Sequence, residues 1–325
     1  MISTRVYRNG NLESEGFPPA QTSDYLAEPD TIVWMDLCEP RPEELALIAE
    51  EFGLNPLAVE DATHERQRPK LDRYEDHLFI SLYDVELDPD TCDLRASELA
   101  AFVSARYLIT VRKSGRFAIE EVTSRWDSSP DLAKYGVGFL LYGLLDVVVD
   151  GHFETVQELD DQIESLEDVL FDEQRSRGTE VQRRSYTLRK ALVLLRRVVV
   201  PTREVVNALM RRDLRVVDEG MLPYYQDVYD HVLRATDWTD SLRDLVTTIL
   251  ETNLTIQGNR LNEIMKKVTS WAAIIAVPTA ITGYYGMNVH TWPHADTLVG
   301  GIFALALIVV LSVALYVAFR RRDWL

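Results

Sequence analysis

Two long uncharged segments near the C-terminal end constrain this chain more than any other feature. Residues 268–287 and 297–319 contain no Asp, Glu, Lys or Arg, and each is long enough to cross a hydrocarbon core of about 30 Å as a helix. The residues that precede them are rich in charge, and the whole chain has a formal net charge of −18. The sequence therefore predicts a membrane protein with two transmembrane helices and a large polar part.

Basic residues predict how these helices are oriented. Lys266 and Lys267 precede the first span and residues 320–322 are all arginine, whereas the connecting segment 288–296 has neither Lys nor Arg. By the positive-inside rule, the chain is expected to lie in a cell membrane with both termini in the cytoplasm. The acidic charge then lies inside the cell, where it excludes a nucleic-acid-binding surface but could attract cations.

The chain lacks the short motifs of common catalytic sites. It contains no HExxH, GxSxG or CxxC pattern, and in the glycine-rich stretch YGVGFLLYG Leu141 occupies the place of the third glycine of a phosphate loop. Cys38 and Cys92 are expected to be single thiols in a reducing compartment. We therefore expect no enzyme activity.

The polar part divides into a β-rich block and a helical block. Up to about residue 113, the β-rich runs 31–37, 76–87 and 99–113 alternate with helical stretches such as 42–53, which predicts an α/β domain with a mixed sheet. Beyond about residue 129 an acidic amphipathic helix (153–174) precedes a basic one (181–212). We expect these two helices to form a hairpin that pairs their opposite charges.

A third helical stretch begins near Leu222 and meets no proline before Pro278, inside the first span. Its interior Gly258 weakens a helix without ending it, so we predict one helix of about 100 Å that continues through the bilayer. The predicted fold class is an α+β membrane protein. Its predicted parts are a cytoplasmic α/β domain (1–128), a helical hairpin (129–221), a stalk helix (222–267), transmembrane helix 1 (268–288), an external loop (289–296), transmembrane helix 2 (297–319) and a basic cytoplasmic tail (320–325).

Small or weakly polar residues recur along one face of this long helix. Their spacing alternates between four and three residues, as in helices wound around each other; they are Gly258, Asn262, Met265, Thr269, Ala272, Ala276, Thr279 and Gly283. One interpretation is tight helix packing, which small residues permit in membranes. The other is a pore lining, which would require several identical chains around an axis because two spans cannot enclose a channel.

The end of the first span carries the tripeptide Gly286-Met287-Asn288, followed by a short loop, a last span and the tail RRRDWL. This arrangement resembles the CorA family of magnesium channels, whose signature is Gly-Met-Asn. The similarity continues upstream through PYYQDVYDHVLRATDWTDSLRD and QRPKLDRYEDHLFISLYDVE and covers most of the chain. It implies a homopentamer in the lipid bilayer, with a funnel-shaped cytoplasmic domain, that admits Mg²⁺ and also Co²⁺ or Ni²⁺.

The resemblance also implies roles for individual residues. The implied pore-lining and selectivity residues are Glu251, Asn262, Met265, Val268, Ala276, Thr279, Gly283, Gly286, Met287 and Asn288. Mg²⁺ sheds its water reluctantly, so oxygens of Asn288 and carbonyls of Gly286 would accept hydrogen bonds from water that stays on the ion. Met265 and Val268 would form a narrow hydrophobic neck.

Three carboxylates are the implied regulatory sites. Asp227, Asp146 and Asp88 match positions at which the family senses cytoplasmic Mg²⁺ between subunits. Considered without the resemblance, each of these side chains is more simply a solvated surface charge. The resemblance therefore implies that internal Mg²⁺ closes the channel through these residues.

The external loop departs from the family pattern. A glutamate that commonly follows the signature is missing, and the stretch VHTWPHAD places His290, His294 and Asp296 at the predicted pore mouth. We hypothesise that imidazoles protonated below a pH of about 6.5 repel arriving cations. The simpler interpretation is that these are exposed loop residues.

Two other functions stay open at this point. One is a zinc transporter of the same superfamily, which cation competition would distinguish. The other is a non-conducting membrane sensor that uses its acidic domain to report divalent ions, which a flux assay would distinguish.

Overall fold

The computed structural model describes residues 1–64, 68–171, 178–211, 214, 216–287 and 298–325. These residues form two compact units, Met1–Ile249 and Leu250–Leu325. The first unit is built on a β-sheet, and the second consists of apolar helical segments. This arrangement confirms the predicted α+β class.

One mixed sheet of seven strands organises the first unit. Its order is β2-β1-β3-β7-β6-β5-β4, and among the described strands only β3 and β7 pair in parallel. The strands are β1 (Ile2–Arg8), β2 (Asn11–Glu15), β3 (Thr31–Cys38), β4 (Lys70–Arg73), β5 (Leu78–Leu87), β6 (Leu94–Val103) and β7 (Tyr107–Arg112). The central strands bury most of their side chains on both faces, which explains their nearly continuous apolar sequences.

The predicted β-rich run 99–113 is the end of one strand, a tight turn and a second strand. The N–H of Ser104 donates to the carbonyl of Tyr107 at 3.0 Å, and the chain reverses there. Val103 then pairs with Leu108 across the hairpin. Because both strands are buried on both faces, hydrophobic periodicity does not reveal the turn.

Eight α-helices accompany the sheet in the described part of the chain. They are α1 (Thr22–Ala27), α2 (Pro42–Phe52), α3 (Pro56–Thr63), α4 (Ile119–Ser128), α5 (Val137–Phe171), α6 (Gly178–Leu209), α7 (Leu222–Tyr285) and α8 (Leu298–Arg321). Helix α2 begins and ends as predicted. Pro42 opens it, the Glu44 carboxylate accepts from the N–H of Arg41 at 2.9 Å, and Gly53 closes it with φ of 61°.

The main core of the first unit lies between the sheet and helices α2 and α3. It includes Met35, Leu37, Phe79, Phe102 and Ile109 from the strands and Leu45, Ile48 and Ala58 from the helices. The sheet also holds a buried ion pair, in which Arg112 Nη2 lies 2.7 Å from Asp36 Oδ2 and Arg112 Nε lies 3.1 Å from both carboxylate oxygens. The hydroxyl of Thr110 donates to Asp36 Oδ1 at 2.7 Å, so the buried carboxylate is fully partnered.

The expectation that α5 and α6 pair their opposite charges is wrong for the described residues. The ion pairs of α6 with other elements join Lys190 to Asp93 at 3.4 Å and Arg196 to Asp240 at 2.7 Å, not α6 to α5. Both helices instead bury apolar stripes. Burial of one leucine side chain stabilises a fold by about 1.5–3 kcal/mol, whereas an exposed ion pair adds about 1 kcal/mol at most. Apolar packing therefore determines how the helices are placed.

Helix α7 confirms the prediction of one long helix. It runs for 64 residues without a break and passes both Gly258 and Pro278. Within the first unit it is held by the buried hydroxyl of Tyr225, which donates to the carbonyl of Gly138 at 2.9 Å. Val228 and Val232 are buried beside it.

The second unit contains the rest of α7 and all of α8. Both helices are long and apolar enough to cross a membrane. Large apolar side chains such as Ile275, Leu305 and Val310 point outward and are more than half exposed. Such a surface is stable in hydrocarbon and not in water.

Candidate functional site

The transmembrane part of α7 has one covered face. Ser270 is fully buried, and half-covered residues continue along the same face; they are Ala273, Ile274, Val277, Pro278, Ile281 and Tyr285. Helix α8 is the other helix of this unit in the described part of the chain, and we attribute the cover to it. In the described part of the chain, the remaining circumference of transmembrane α7 is exposed.

The stripe of small residues predicted from the sequence lies on the open face. Gly258 is half-covered, and the other seven stripe residues, from Asn262 to Gly283, are exposed. The predicted pore residues Glu251, Val268 and Met287 are also exposed. Bulky Trp271 and Ile275 occupy the neighbouring flank. The open surface is thus divided into a small, weakly polar side and a bulky apolar side.

Threonine hydroxyls on the open surface are bonded to their own helix. Thr279 Oγ1 donates to the carbonyl of Ile275 at 3.0 Å, and Thr282 Oγ1 donates to that of Pro278 at 2.8 Å. A hydroxyl has one donor and two acceptor positions. Each oxygen therefore keeps acceptor capacity that can face outward and bind water.

The signature tripeptide is described only in part. The N–H of Gly286 donates to the carbonyl of Thr282 at 2.9 Å, and that of Met287 to Tyr284 at 3.4 Å, so both continue the last turn of α7. A Cβ at Gly286 would approach the Thr282 carbonyl to 3.1 Å, which favours glycine there. The predicted selectivity residue Asn288 and the predicted mouth residues His290, His294 and Asp296 lie outside the described residues.

Two of the three predicted regulatory carboxylates lie near one tyrosine. Asp146 on α5 is half-buried and is bonded to the guanidinium of Arg125, which also contacts Asp150 at 3.0 Å. Burial raises the pKa of Asp146. Asp227 on α7 is exposed, with 64 % of its side chain accessible. Burial raises the pKa of Tyr142, and the charges of Asp146 and Asp227 raise it further. Asp146 follows Tyr142 by four residues on α5, and the Tyr142 ring meets that of Tyr224, three residues before Asp227, with centroids 5.5 Å apart.

Asp88, the third predicted carboxylate, lies in the turn between β5 and β6. Its Oδ1 accepts from the backbone N–H groups of Asp90 at 3.1 Å and Thr91 at 3.0 Å, and its Oδ2 pairs with Arg95 at 3.0 Å. The pKa of Asp88 is lowered, mainly by the hydrogen bond that its carboxylate accepts from the N–H of Thr91. Across the described residues, no three His, Cys, Asp or Glu side chains are grouped to hold a metal ion.

The sequence analysis missed an acidic cavity of about 620 Å³ between the end of β5, α4 and α5. Six carboxylates line it, namely Asp84, Glu86, Glu121, Asp150, Glu154 and Glu158, together with Arg116 and Arg125. Burial raises the pKa of Asp84 to about 6. The spacing of four residues between Asp150, Glu154 and Glu158 would have placed them on one helix face.

With this geometry in place, comparison with known proteins identifies the family. Residues 29–321 match the sequence profile described as CorA-like Mg²⁺ transporter protein. The chain belongs to this family. The predicted resemblance is therefore confirmed, and the two apolar segments are assigned to a membrane-embedded transporter of divalent cations.

Individual relatives agree with the CorA assignment. The chain is 29 % identical to the cobalt/magnesium transport protein CorA of Thermotoga maritima over 97 % of its own length and 91 % of the relative's. It resembles the complete structure of the CorA magnesium transporter from Methanocaldococcus jannaschii with a TM-score of 0.81 and 24 % identity, covering 99 % and 98 % of the two chains. A zinc transport protein, ZntB of Yersinia pseudotuberculosis, is 24 % identical over 100 % of this chain and 97 % of its own.

Proposed function

We propose that this chain is one subunit of a homopentameric channel that admits Mg²⁺ through a cell membrane, with both termini in the cytoplasm. The observation that carries the proposal is the stripe of small and hydroxyl-bearing residues on the open face of α7. Within the described residues of one chain this face is exposed from Asn262 to Gly283. Five copies around an axis would turn the five stripes toward one shared lumen.

The lining chemistry suits an ion that keeps its water. Mg²⁺ requires octahedral oxygen geometry at about 2.0–2.1 Å and dehydrates reluctantly. The hydroxyl oxygen of Thr279 can accept from a hydrated ion while its proton stays on the Ile275 carbonyl. Asn288 would add a ring of amide oxygens at the outer end, beside Gly286. Met265 and Val268 would form the hydrophobic neck at the inner end and close it by dewetting.

The membrane potential supplies the driving force. A divalent ion that enters a cell gains about 4.6 kcal/mol per 100 mV of inside-negative potential, twice the single-charge value. No Asp, Glu, Lys or Arg occurs in residues 268–287 or 297–319, so neither span contains a carboxylate relay for protons. The proposed channel therefore conducts Mg²⁺ passively, and Co²⁺ or Ni²⁺ as well.

We propose further that internal Mg²⁺ closes the channel at contacts between subunits. Asp227 is exposed, and both Asp227 and Asp146 raise the pKa of Tyr142. One chain nevertheless groups no complete metal site among its described residues. Asp88 of a neighbouring copy would add the missing carboxylate. Bound Mg²⁺ would offset the repulsion between these carboxylates and stabilise the closed state by mass action.

Uptake of Mg²⁺ into liposomes that contain only this protein tests the proposal. The wild type should show uptake that stops as internal Mg²⁺ rises. Asn288→Ala should abolish uptake and leave the oligomer intact, because it removes only the proposed outer ring. Asp227→Ala should conduct but require more internal Mg²⁺ for inhibition. A wild type without flux would instead support a non-conducting divalent-cation sensor.

A zinc transporter is the second candidate, favoured by the similarity to ZntB. External loop residues His290 and His294 offer imidazoles, which bind Zn²⁺ better than Mg²⁺. Competition between Zn²⁺ and Mg²⁺ in the same liposomes separates the two functions. Tighter competition by Zn²⁺, with faster Zn²⁺ flux, would favour the zinc assignment.

A further inference from the structure

The C-terminal residues form a compact hook at the end of α8. The N–H of Trp324 donates to the carbonyl of Phe319 at 3.0 Å, and that of Asp323 donates to Arg320 at 3.3 Å. Asp323 has φ of 54°, in the left-handed region. These two bonds and the left-handed residue together make a Schellman motif, which satisfies carbonyls at a helix end.

The hook turns the indole of Trp324 back onto its own helix. The rings of Phe319 and Trp324 stack with centroids 5.7 Å apart and an interplanar angle of 10°. A hydrophobic contact between these two positions frequently accompanies the motif. Glycine is the usual left-handed residue, because it has no Cβ to strain. Here an aspartate holds that conformation, and the stacked rings help to maintain it.

The hook also brings Trp324 to the inner end of the pore helix. Trp324 and residues of α7 line a cavity of about 570 Å³, and these residues are Asn259, Asn262, Glu263, Met265, Lys266 and Thr269. Three of them, Asn262, Met265 and Thr269, belong to the small-residue stripe. Met265 is also part of the proposed neck, so the indole lies at the height where the channel would close.

We propose that Trp324 is a positioning residue that braces α7 beside the neck. This inference rests on the proposed channel function. The indole forms one wall of this cavity on the flank of α7 and limits how far the helix can lean toward it. Without the ring the cavity enlarges and α7 can lean into it. Met265 then moves away from the pore axis, and the neck closes incompletely.

Four variants in the liposome assay separate the ring from the hook that presents it. Trp324→Ala removes the ring, and Trp324→Phe keeps an aromatic ring in its place. Asp323→Val opposes the left-handed conformation, because β-branched residues disfavour positive φ, whereas Asp323→Gly adopts it readily. The measured quantity is the residual Mg²⁺ flux at an internal Mg²⁺ concentration that fully closes the wild type. Size-exclusion chromatography checks that each variant is assembled.

Trp324→Ala and Asp323→Val should both leak at least about fivefold more than the wild type, the lower end of typical coupling between separate sites. Trp324→Phe and Asp323→Gly should stay within about twofold, as expected for changes that keep the packing. The proposal is overturned if assembled Trp324→Ala closes like the wild type, or if Asp323→Val behaves like Asp323→Gly. A wild type without uptake would overturn the channel function itself, which is a separate outcome.

Discussion

The two units of this chain differ in where they place large apolar side chains. In the first unit the interior is apolar, and Tyr225, Val228 and Val232 of α7 are shielded there. In the second unit Val268 and Ile275 of the same helix point outward, whereas Ser270 on its covered face is fully buried. The hydroxyl of Ser270 donates to the carbonyl of Lys266 at 2.8 Å. One uninterrupted helix therefore follows two packing rules.

This contrast shows that the surroundings, more than helix propensity, determine what each segment buries. Water drives apolar groups of the first unit into its own core. Hydrocarbon imposes no such force between helices, so the second unit can leave bulky side chains such as Val268 and Ile275 to the lipid. The first unit should be stable by itself, whereas the second depends on a bilayer or on other copies.

Breaking the buried ion pair between Arg112 and Asp36 has the largest expected effect on the first unit. We expect Asp36→Ala to destabilise the first unit by about 3–5 kcal/mol, because it leaves the Arg112 charge buried and unpaired. Urea unfolding of the full chain in detergent would measure this. The signal would come from Trp34 and Trp126, whose rings meet edge to face at 5.0 Å.

An exposed ion pair is the control for Asp36→Ala. Lys190 and Asp93 pair at 3.4 Å with more than half of each side chain exposed. Asp93→Ala should therefore change the free energy of unfolding by less than about 1 kcal/mol. Similar losses from Asp36→Ala and Asp93→Ala would show that burial does not govern the strength of these pairs.

A smaller effect is expected at the acidic cavity. Burial raises the pKa of Asp84 from 3.8 to about 6, so the folded state binds this proton more tightly than the unfolded state. The stabilisation from protonated Asp84 is complete below pH 3.8 and is lost as the pH rises through about 6. At pH 7.5, Asp84→Asn should therefore stabilise the first unit by about 1–2 kcal/mol.

Urea unfolding at pH 7.5 and at pH 4 checks the sign of this pH dependence. The advantage of Asp84→Asn over the wild type should shrink at pH 4, where the wild-type carboxyl is largely protonated. Exposed Glu86 lines the same cavity, and Glu86→Gln should change stability little at either pH. An advantage of Asp84→Asn that is equal at both pH values would assign its effect to packing instead of charge.

The smallest effect concerns the second unit. Thr279→Val keeps the side-chain volume and removes the outward acceptor, so Mg²⁺ uptake should fall by up to about tenfold, which corresponds to one hydrogen bond of about 0.5–1.5 kcal/mol. Thr282 is the matched control, because its hydroxyl is also exposed and also bonded to a carbonyl four residues earlier. Thr282→Val should conduct normally. If Thr279→Val and Thr282→Val lost Mg²⁺ uptake equally, the stripe and the flank of α7 would not differ in their contact with the ion.

The sequence predicted those features that depend on local patterns. Helix α2 has its proline, first-turn acids and closing glycine in the chain itself, and α7 has no residue that stops a helix until its end. The spacing of the stripe predicted that its residues share one face of α7, and it left open whether that face is packed. Strand β4, in contrast, has the sequence KLDR and no apolar alternation. Its pairing with β5 through the backbone could not be read from side chains.

Features that join distant residues were not predictable in the same way. The contact of Arg125 with Asp146 and Asp150 requires α4 to pack beside α5. Among the described residues, the absence of ion pairs between α5 and α6 also depends on which faces are buried. The C-terminal hook did have a local signal, since Phe319 and Trp324 have the spacing of a Schellman contact. The left-handed Asp323 gave no such signal, because glycine is the usual residue there.

The self-bonded hydroxyls of α7 also bear on how the protein is made. Ser270, Thr279 and Thr282 each donate to a carbonyl four residues earlier in their own helix. An unsatisfied polar group in hydrocarbon costs several kcal/mol, yet these three carry their partners with them. A newly synthesised helix can therefore leave the insertion machinery and enter lipid before any other copy arrives. Biogenesis of the subunit and assembly of the oligomer can then proceed as successive steps.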